Sequence, residues 1–209
     1  MDDHLYRELY ERASYDRRAK ADSFRFRKDK ILSIGVWSLL CYALQKEGIM
    51  KFSVEVNENG KPCLAGIPDI CFSLSHSGCM AMCALAEQEV GCDVEKKEAL
   101  DPALAEYAMT KEELKRIYSL KDPQKQEEMF FRIWTLKESY MKATGLGMRL
   151  APHDFEISFT AEKISVCNPK NDRRYFLKEY YPDDGYCYSC CSLSEQFAKD
   201  MIRVDLKKL

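Results

Sequence analysis

The hydrophobic period of this chain changes three times, and that constrains its fold more than any other feature. Asp69 to Ser75 alternates, with Ile70, Phe72 and Leu74 on one side; Met80 to Ala86 is a short apolar run; Glu89 to Glu95 alternates again, with Val90, Cys92 and Val94 on one side. A period of two belongs to strands, and short strands close in sequence suggest an antiparallel sheet. From residue 101 the period lengthens. Asp101 to Ala108, Lys111 to Leu120 and Gln124 to Ala143 read as helices, with Thr110 as an N-cap and Gly145 and Gly147 past the last end. Phe155 to Phe159, Arg174 to Leu177 and Tyr186 to Cys191 return to strand patterns. Upstream, Leu5 to Arg12 has helical spacing, Ile31 to Leu44 reads as a buried helix, and Asn57 to Pro62 is a turn by composition. Helix, strands, helices, strands is an α+β order, compatible with two similar halves, although no sequence repeat relates them.

Composition removes several classes of function. With 46% hydrophobic residues in 209, the chain can bury one large core or two small ones and is not disordered. Its 32 basic and 34 acidic residues leave a net charge of −2, which argues against a nucleic-acid binder. The longest apolar stretch, Ile31 to Leu44, is interrupted by Ser33, Gly35 and Ser38 and falls short of the ~18 residues of a membrane span. Met1-Asp2-Asp3-His4 has no basic start or apolar run of a signal peptide, so a cytoplasmic protein is expected, with its ten cysteines as free, mostly core-facing thiols. Cys187 and Cys190 form one CxxC without a second ligand pair, and an apolar strand accounts for it.

Three stretches carry chemistry. In Val90-Gly91-Cys92-Asp93-Val94-Glu95, strand geometry puts Asp93 and Glu95 on one face, ~6.5–7 Å apart along the chain. Paired carboxylates suit a hard divalent cation such as Mg²⁺; a half-buried strand with a wet outer face also explains them. In Trp134-Thr135-Leu136-Lys137-Glu138-Ser139-Tyr140-Met141-Lys142, residues 134, 138 and 142 share a helix face. Glu138 and Lys142 are either a surface ion pair or charges at the margin of a cleft. In Phe72-Ser73-Leu74-Ser75-His76-Ser77 a strand enters a turn, where a lone histidine is most often structural. A basic cluster, Arg17, Arg18, Lys20, Arg25, Arg27, Lys28 and Lys30, precedes the buried helix and by itself reads as a solvated face.

Taken together, Gly60-Lys61-Pro62, Phe72 to Ser77, Val90 to Glu95 and Trp134 to Lys142 with Gly145 and Gly147 resemble, in order and spacing, the 4′-phosphopantetheinyl transferases, in particular their longer, surfactin-synthetase-activating type. The resemblance spans roughly residues 15 to 150 in register and the C-terminal strands loosely. It implies two similar α+β halves with a pseudo-twofold relation, residues 1–96 and 97–209, around a cleft that holds the site, and a monomer. It implies transfer of the 4′-phosphopantetheine group from coenzyme A to a serine hydroxyl of an acyl or peptidyl carrier protein, with release of adenosine 3′,5′-bisphosphate. By the same resemblance Asp93, Glu95 and Glu138 would hold Mg²⁺, Glu138 would take the serine proton, and Lys142, with Lys137 as a weaker candidate, would contact the pyrophosphate. Ser75 and His76 would bind phosphates and Lys61 the adenine or its phosphates. Arg17 and Lys20, with Ser33 adding a hydroxyl, would hold the 3′-phosphate, a dianion that guanidinium and ammonium groups suit. Glu113 matches a position near the metal, or is simply a helix N-terminal carboxylate. One departure is plain: the family begins with a short strand, and this chain begins in helix-like sequence. The alternatives are a non-catalytic module of the same fold that binds coenzyme A or a carrier, and an unrelated metal-dependent phosphohydrolase or nuclease built on the same three carboxylates.

Overall fold

A computed structural model describes residues 1–209, apart from the side chain of Met148. Three helices lead: α1 (Asp3–Arg12), α2 (Tyr15–Ser23) and α3 (Arg27–Lys46). Asp2 and Ser14 cap the first two by accepting the Leu5 and Arg17 N–H groups. Helix α3 is the buried helix that the apolar run predicts, with Ile34, Leu40 and Leu44 fully enclosed. A hairpin of β1 (Val54–Val56) and β2 (Pro62–Leu64) encloses the turn, with Gly60 at φ 82°, a left-handed conformation that costs glycine nothing. Strands β3 (Cys71–Ser77), β4 (Met80–Ala86) and β5 (Val90–Lys96) follow, then α4 (Pro102–Ala108), α5 (Lys111–Tyr118) and the long α6 (Pro123–Thr144). Gly145 at φ 69° ends α6. The chain closes with β6 (Glu156–Phe159), β7 (Ile164–Cys167), β8 (Phe176–Tyr180) and β9 (Tyr186–Ser192). The architecture is α+β, and the chain starts in α1 with no strand before it.

One strand partnership departs from the expected local sheet. Strands β3 and β4 pair antiparallel, but β5 ladders with β9 in a sheet of order β5-β9-β8. Strands β3 and β5 still lie side by side. Serine side chains fill the space between them: Ser73 Oγ accepts the Cys92 N–H at 3.0 Å and Ser77 Oγ accepts the Lys96 N–H at 3.1 Å. Partner and hydroxyl advance together along both strands, so the two run in the same direction, and side-chain oxygens replace the carbonyls of a backbone ladder.

Three apolar clusters result. One, around Ile34, Leu40 and Leu44, joins α1 to α3 with Leu64 and Phe72. A second, around Phe130, Ile133, Leu136 and Tyr140, joins α4 to α6 with β6 and β9. A third, Met82, Cys92, Val94, Tyr188 and Cys190, lies under β5. The terminal segment binds the clusters together. Phe197 and Met201 pack on the third, Leu206 packs on the first, and Arg12 donates to the Leu209 carbonyl at 2.7 Å. The expectation of core-facing thiols is corrected at two positions: Cys79 and Cys167 are exposed, while Cys92, Cys187, Cys190 and Cys191 are buried.

Candidate active site

Gly91 brings the site together. A Cβ at this position would stand 1.9 Å from the Ser139 carbonyl oxygen and 2.4 Å from the Ala143 nitrogen. Only a residue without one lets β5 lie directly on the backbone of α6. Asp93 and Glu95, two and four residues on, share the Gly91 face, and Glu138 and Lys142 lie on the helix that covers it. Cys92 and Val94 face the opposite way, into the third cluster.

Asp93 is 2% exposed. Its Oδ1 accepts Lys142 Nζ at 2.6 Å and Ser75 Oγ at 2.7 Å, and Lys142 also donates to Ser75 at 3.0 Å. Its Oδ2 is buried and has no hydrogen-bond partner among the described residues. Glu95 accepts Ser77 Oγ at 2.7 Å on Oε2, and the Trp134 indole N–H beside it also favours the charged carboxylate. Burial pushes all three carboxylates above their ordinary range. For Asp93, Lys142 and Ser75 oppose that push; for Glu95, Ser77 opposes it and Asp93 adds to it; for Glu138, Asp93 and Glu95 add to it and Lys142 opposes it. Burial alone would lower the Lys142 ammonium, but Asp93, together with Cys92 and Glu138, outweighs burial and holds it above its ordinary range. Asp93 raises both Glu95 and Glu138, and Glu95 raises Glu138, so the three lie close enough to feel one another's charge, and Lys142 is the cation that opposes all three shifts.

Among the described residues no three carboxylate, imidazole or thiolate groups converge tightly enough to hold a metal ion as they stand. The donor set nevertheless fits one. It is all oxygen, carries up to three negative charges, and holds a buried carboxylate oxygen without a partner.

Beside this cluster a cleft of about 280 Å³ is lined by Lys61, Pro62, Phe72, Leu74, Met141 and Lys142, with Gly145 and Gly147 at one end. It therefore brings all of the motifs except the β5 strand onto one surface, and Lys142 joins the cleft to the carboxylates. Lys61 is committed to the frame: its ammonium donates to the Val90 and Ala143 carbonyls at 3.0 and 2.8 Å, and burial lowers its pKa. His76 is exposed, and partial desolvation followed by the Lys142 ammonium holds it below its ordinary range. Arg17 donates to Ser33 at 3.4 Å and lies over the Trp37 ring, with Lys20 exposed one turn further along α2.

Two candidates stand elsewhere. Lys137 and Glu113 are both fully buried and pair at 2.8 Å. Lys137 also donates to the Pro152 and Phe155 carbonyls, each at 2.7 Å. Glu113 closes a capping box with Thr110 and accepts the Ile157 N–H at 2.8 Å. The structure corrects the pyrophosphate reading of Lys137: one residue before Glu138 on a helix is ~100° away from it, and that rotation turns the ammonium into the core. For Glu113, of the two readings, the helix N-terminal carboxylate describes its position. Sequence reasoning missed Ser77 as a partner of Glu95; its signal was the spacing of Ser73, Ser75 and Ser77 on one strand face.

A short serine-lined seam, acidic strand and covering helix, opening on a cleft built from glycine turns, define a class of protein found by comparison as well. Residues 89–191 match the family model of the 4′-phosphopantetheinyl transferase superfamily. The chain is 31% identical over 169 residues to 4′-phosphopantetheinyl transferase Sfp of Bacillus subtilis (strain 168), a span covering 80% of this chain and 74% of that protein. It is 29% identical to 4′-phosphopantetheinyl transferase psf-1 of Bacillus pumilus, over 86% of this chain and 78% of that one. Among solved structures, holo-[acyl-carrier-protein] synthase of Thermotoga maritima is 21% identical, with a TM-score of 0.44 over 58% of this chain and 71% of that one. This chain belongs to the 4′-phosphopantetheinyl transferase superfamily.

Proposed function

We propose that the chain transfers the 4′-phosphopantetheine group of coenzyme A to a serine hydroxyl of an apo acyl or peptidyl carrier protein, releasing adenosine 3′,5′-bisphosphate, in the presence of Mg²⁺. The observation that carries this reading is the contact of β5 with α6, which brings Asp93 and Glu95 against Glu138 and Lys142, with Lys142 itself in the wall of the cleft. Asp93, Glu95 and Glu138 would hold the metal. When bound, it supplies charge neutralisation at the pyrophosphate, which is most of what phosphoryl transfer asks of a protein.

The chain's own residues supply the rest. Glu138, raised by burial and by its two neighbours, takes the proton from the carrier serine hydroxyl as that oxygen attacks phosphorus. Lys142, its stem packed in the wall of the cleft, leaves Asp93 to meet a phosphate oxygen, where its positive charge follows the leaving group. Ser75 and His76 line the phosphate path from β3. Arg17 and Lys20, on α2 beside Ser33, hold the 3′-phosphate. Lys61 sets the width of the cleft from beneath, because it ties the start of β5 to the end of α6.

Both walls of the cleft come from one chain, residues 60–74 on one side and 141–147 on the other, which supports action as a monomer with functional halves 1–96 and 97–209. Ten unpaired cysteines support a reducing, cytoplasmic setting; among the described residues no helix is long and apolar enough to cross a membrane. The test is to incubate the chain with coenzyme A, Mg²⁺ and an apo carrier protein and weigh the carrier. A gain of one phosphopantetheine on serine is the expected result. Coenzyme A binding with an unchanged carrier would reduce the chain to a binding module.

A further inference from the structure

The seam between β3 and β5 is the least ordinary part of the fold, and it lies directly behind the carboxylates. Ser73, Ser75 and Ser77 project from one face of β3 toward β5. Ser73 accepts the Cys92 N–H, and the Cys92 thiol returns a hydrogen bond to the Ser73 carbonyl at 3.2 Å. That bond is a seam contact only. The next two serines do something different. Ser75 donates to Asp93 Oδ1, and Ser77 donates to Glu95 Oε2, each at 2.7 Å. Ser77 is fixed for this by accepting the Lys96 N–H at 3.1 Å with the same oxygen. Its one proton is thereby directed at the carboxylate. A serine hydroxyl can donate once and accept twice, so the backbone bond decides its donor direction. Glu95 is a flexible side chain at the partly exposed end of β5, unlike the enclosed Asp93, and Ser77 is its anchor on the strand.

The geometry points to Ser77 as a positioning residue for Glu95. It engages one carboxylate oxygen, holds the side chain beside Asp93, and leaves the other oxygen for the divalent cation; this rests on the proposed reading of Asp93, Glu95 and Glu138 as the metal-holding set. Groups that orient a metal-binding carboxylate typically change metal affinity by 10–100-fold when removed. Ser77→Ala deletes the hydroxyl, and the Lys96 N–H that it served is at an exposed position where water replaces it. Ser77→Thr keeps the hydroxyl.

The experiment titrates Mn²⁺ alone into the full chain, without coenzyme A or carrier, and reads binding by calorimetry. The expected result is that Ser77→Ala binds Mn²⁺ about tenfold more weakly than wild type, that Ser77→Thr lies within about twofold of wild type on the same reasoning, and that thermal midpoints of all three agree. A merely structural serine would move the midpoint and leave Mn²⁺ affinity in place. Equal Mn²⁺ affinity in Ser77→Ala and wild type overturns the inference, as does failure of threonine to restore a loss. The outcome is separable from that of the transfer reading. A chain that forms the carrier adduct but whose Ser77→Ala variant binds Mn²⁺ normally keeps the function and loses this role for Ser77. A chain that forms no adduct loses the function, while the Mn²⁺ comparison still decides what Ser77 does.

Discussion

Gly91→Ala puts one methyl group where β5 crosses α6, and its consequence follows from two distances. The new Cβ would sit 1.9 Å from the Ser139 carbonyl oxygen and 2.4 Å from the Ala143 nitrogen. Carbon against backbone oxygen or nitrogen needs at least about 3.0–3.4 Å, so strand and helix must separate by roughly 1 Å or more; overpacking of this kind costs about 1–3 kcal/mol, and more where neither partner yields. Neither does here, because both are backbone atoms inside a 22-residue helix. A chain of this size loses about 2–4 °C in Tm per kcal/mol, so about 1–3 kcal/mol alone would lower Tm by roughly 2–12 °C, and a fall at or above the upper end of that range is expected. The larger effect is on turnover. Asp93 and Glu95 ride on the strand; Glu138 and Lys142 ride on the helix. A 1 Å misplacement between reacting groups can cost about 100-fold. The assay is carrier modification by intact mass under single-turnover conditions, with Tm measured on the same preparation. A Gly91→Ala variant with wild-type Tm and a rate within a few-fold of wild type would refute the claim that this crossing sets the site.

Other outcomes follow from the same geometry. Asp93→Ala and Glu138→Ala abolish transfer while far-ultraviolet circular dichroism stays native; normal activity in either sinks the metal assignment. Arg17→Ala weakens coenzyme A more than it weakens the dephospho analogue, and equal weakening, measured by calorimetry, removes the 3′-phosphate role. Lys137→Met strands Glu113 as a buried charge without its cation and costs about 3–5 kcal/mol in denaturant unfolding, while the folded fraction transfers at near the wild-type rate. In metal-free buffer, Glu138 has a folded pKa above its unfolded one, so the folded state binds the extra proton and its contribution to stability is present at low pH and lost as pH rises from the ordinary carboxylate value of 4.5 upward. Glu138→Gln should flatten that decline in a series of Tm values against pH, and an unchanged slope would contradict it.

The periodic part of this structure was legible in the sequence. Helix α6 is legible from its apolar stripe and its terminal glycines, β3 and β5 from their alternation and β4 from its short apolar run, to within a residue or two at most ends. The strand period shows that Asp93 and Glu95 share one face and the helix period that Glu138 and Lys142 share another, but only the resemblance to the transferase family joins the two faces in one site. Four things were not legible. The pairing of β5 with β9 joins residues about a hundred positions apart, and no local pattern encodes a partner at that distance. Strand β7 is four residues long and only half-buried, too short for alternation to show. The fate of Lys137 was hidden because a helix carrying Glu138 at the cleft carries its neighbour into the core, where Glu113 and two carbonyls await it from elements read separately. The terminal segment, which packs Leu206 against the first helices, has no periodicity to read at all.

The central claim is that the cluster at the β5–α6 contact moves a phosphopantetheine arm from coenzyme A to a carrier serine. It is tested most directly by following both products in one reaction: the mass of the carrier and the amount of adenosine 3′,5′-bisphosphate released. The account predicts a one-to-one relation in wild type, with both products absent in Asp93→Ala. Nucleotide released without modified carrier would mean that water, not serine, is the acceptor, and would contradict it.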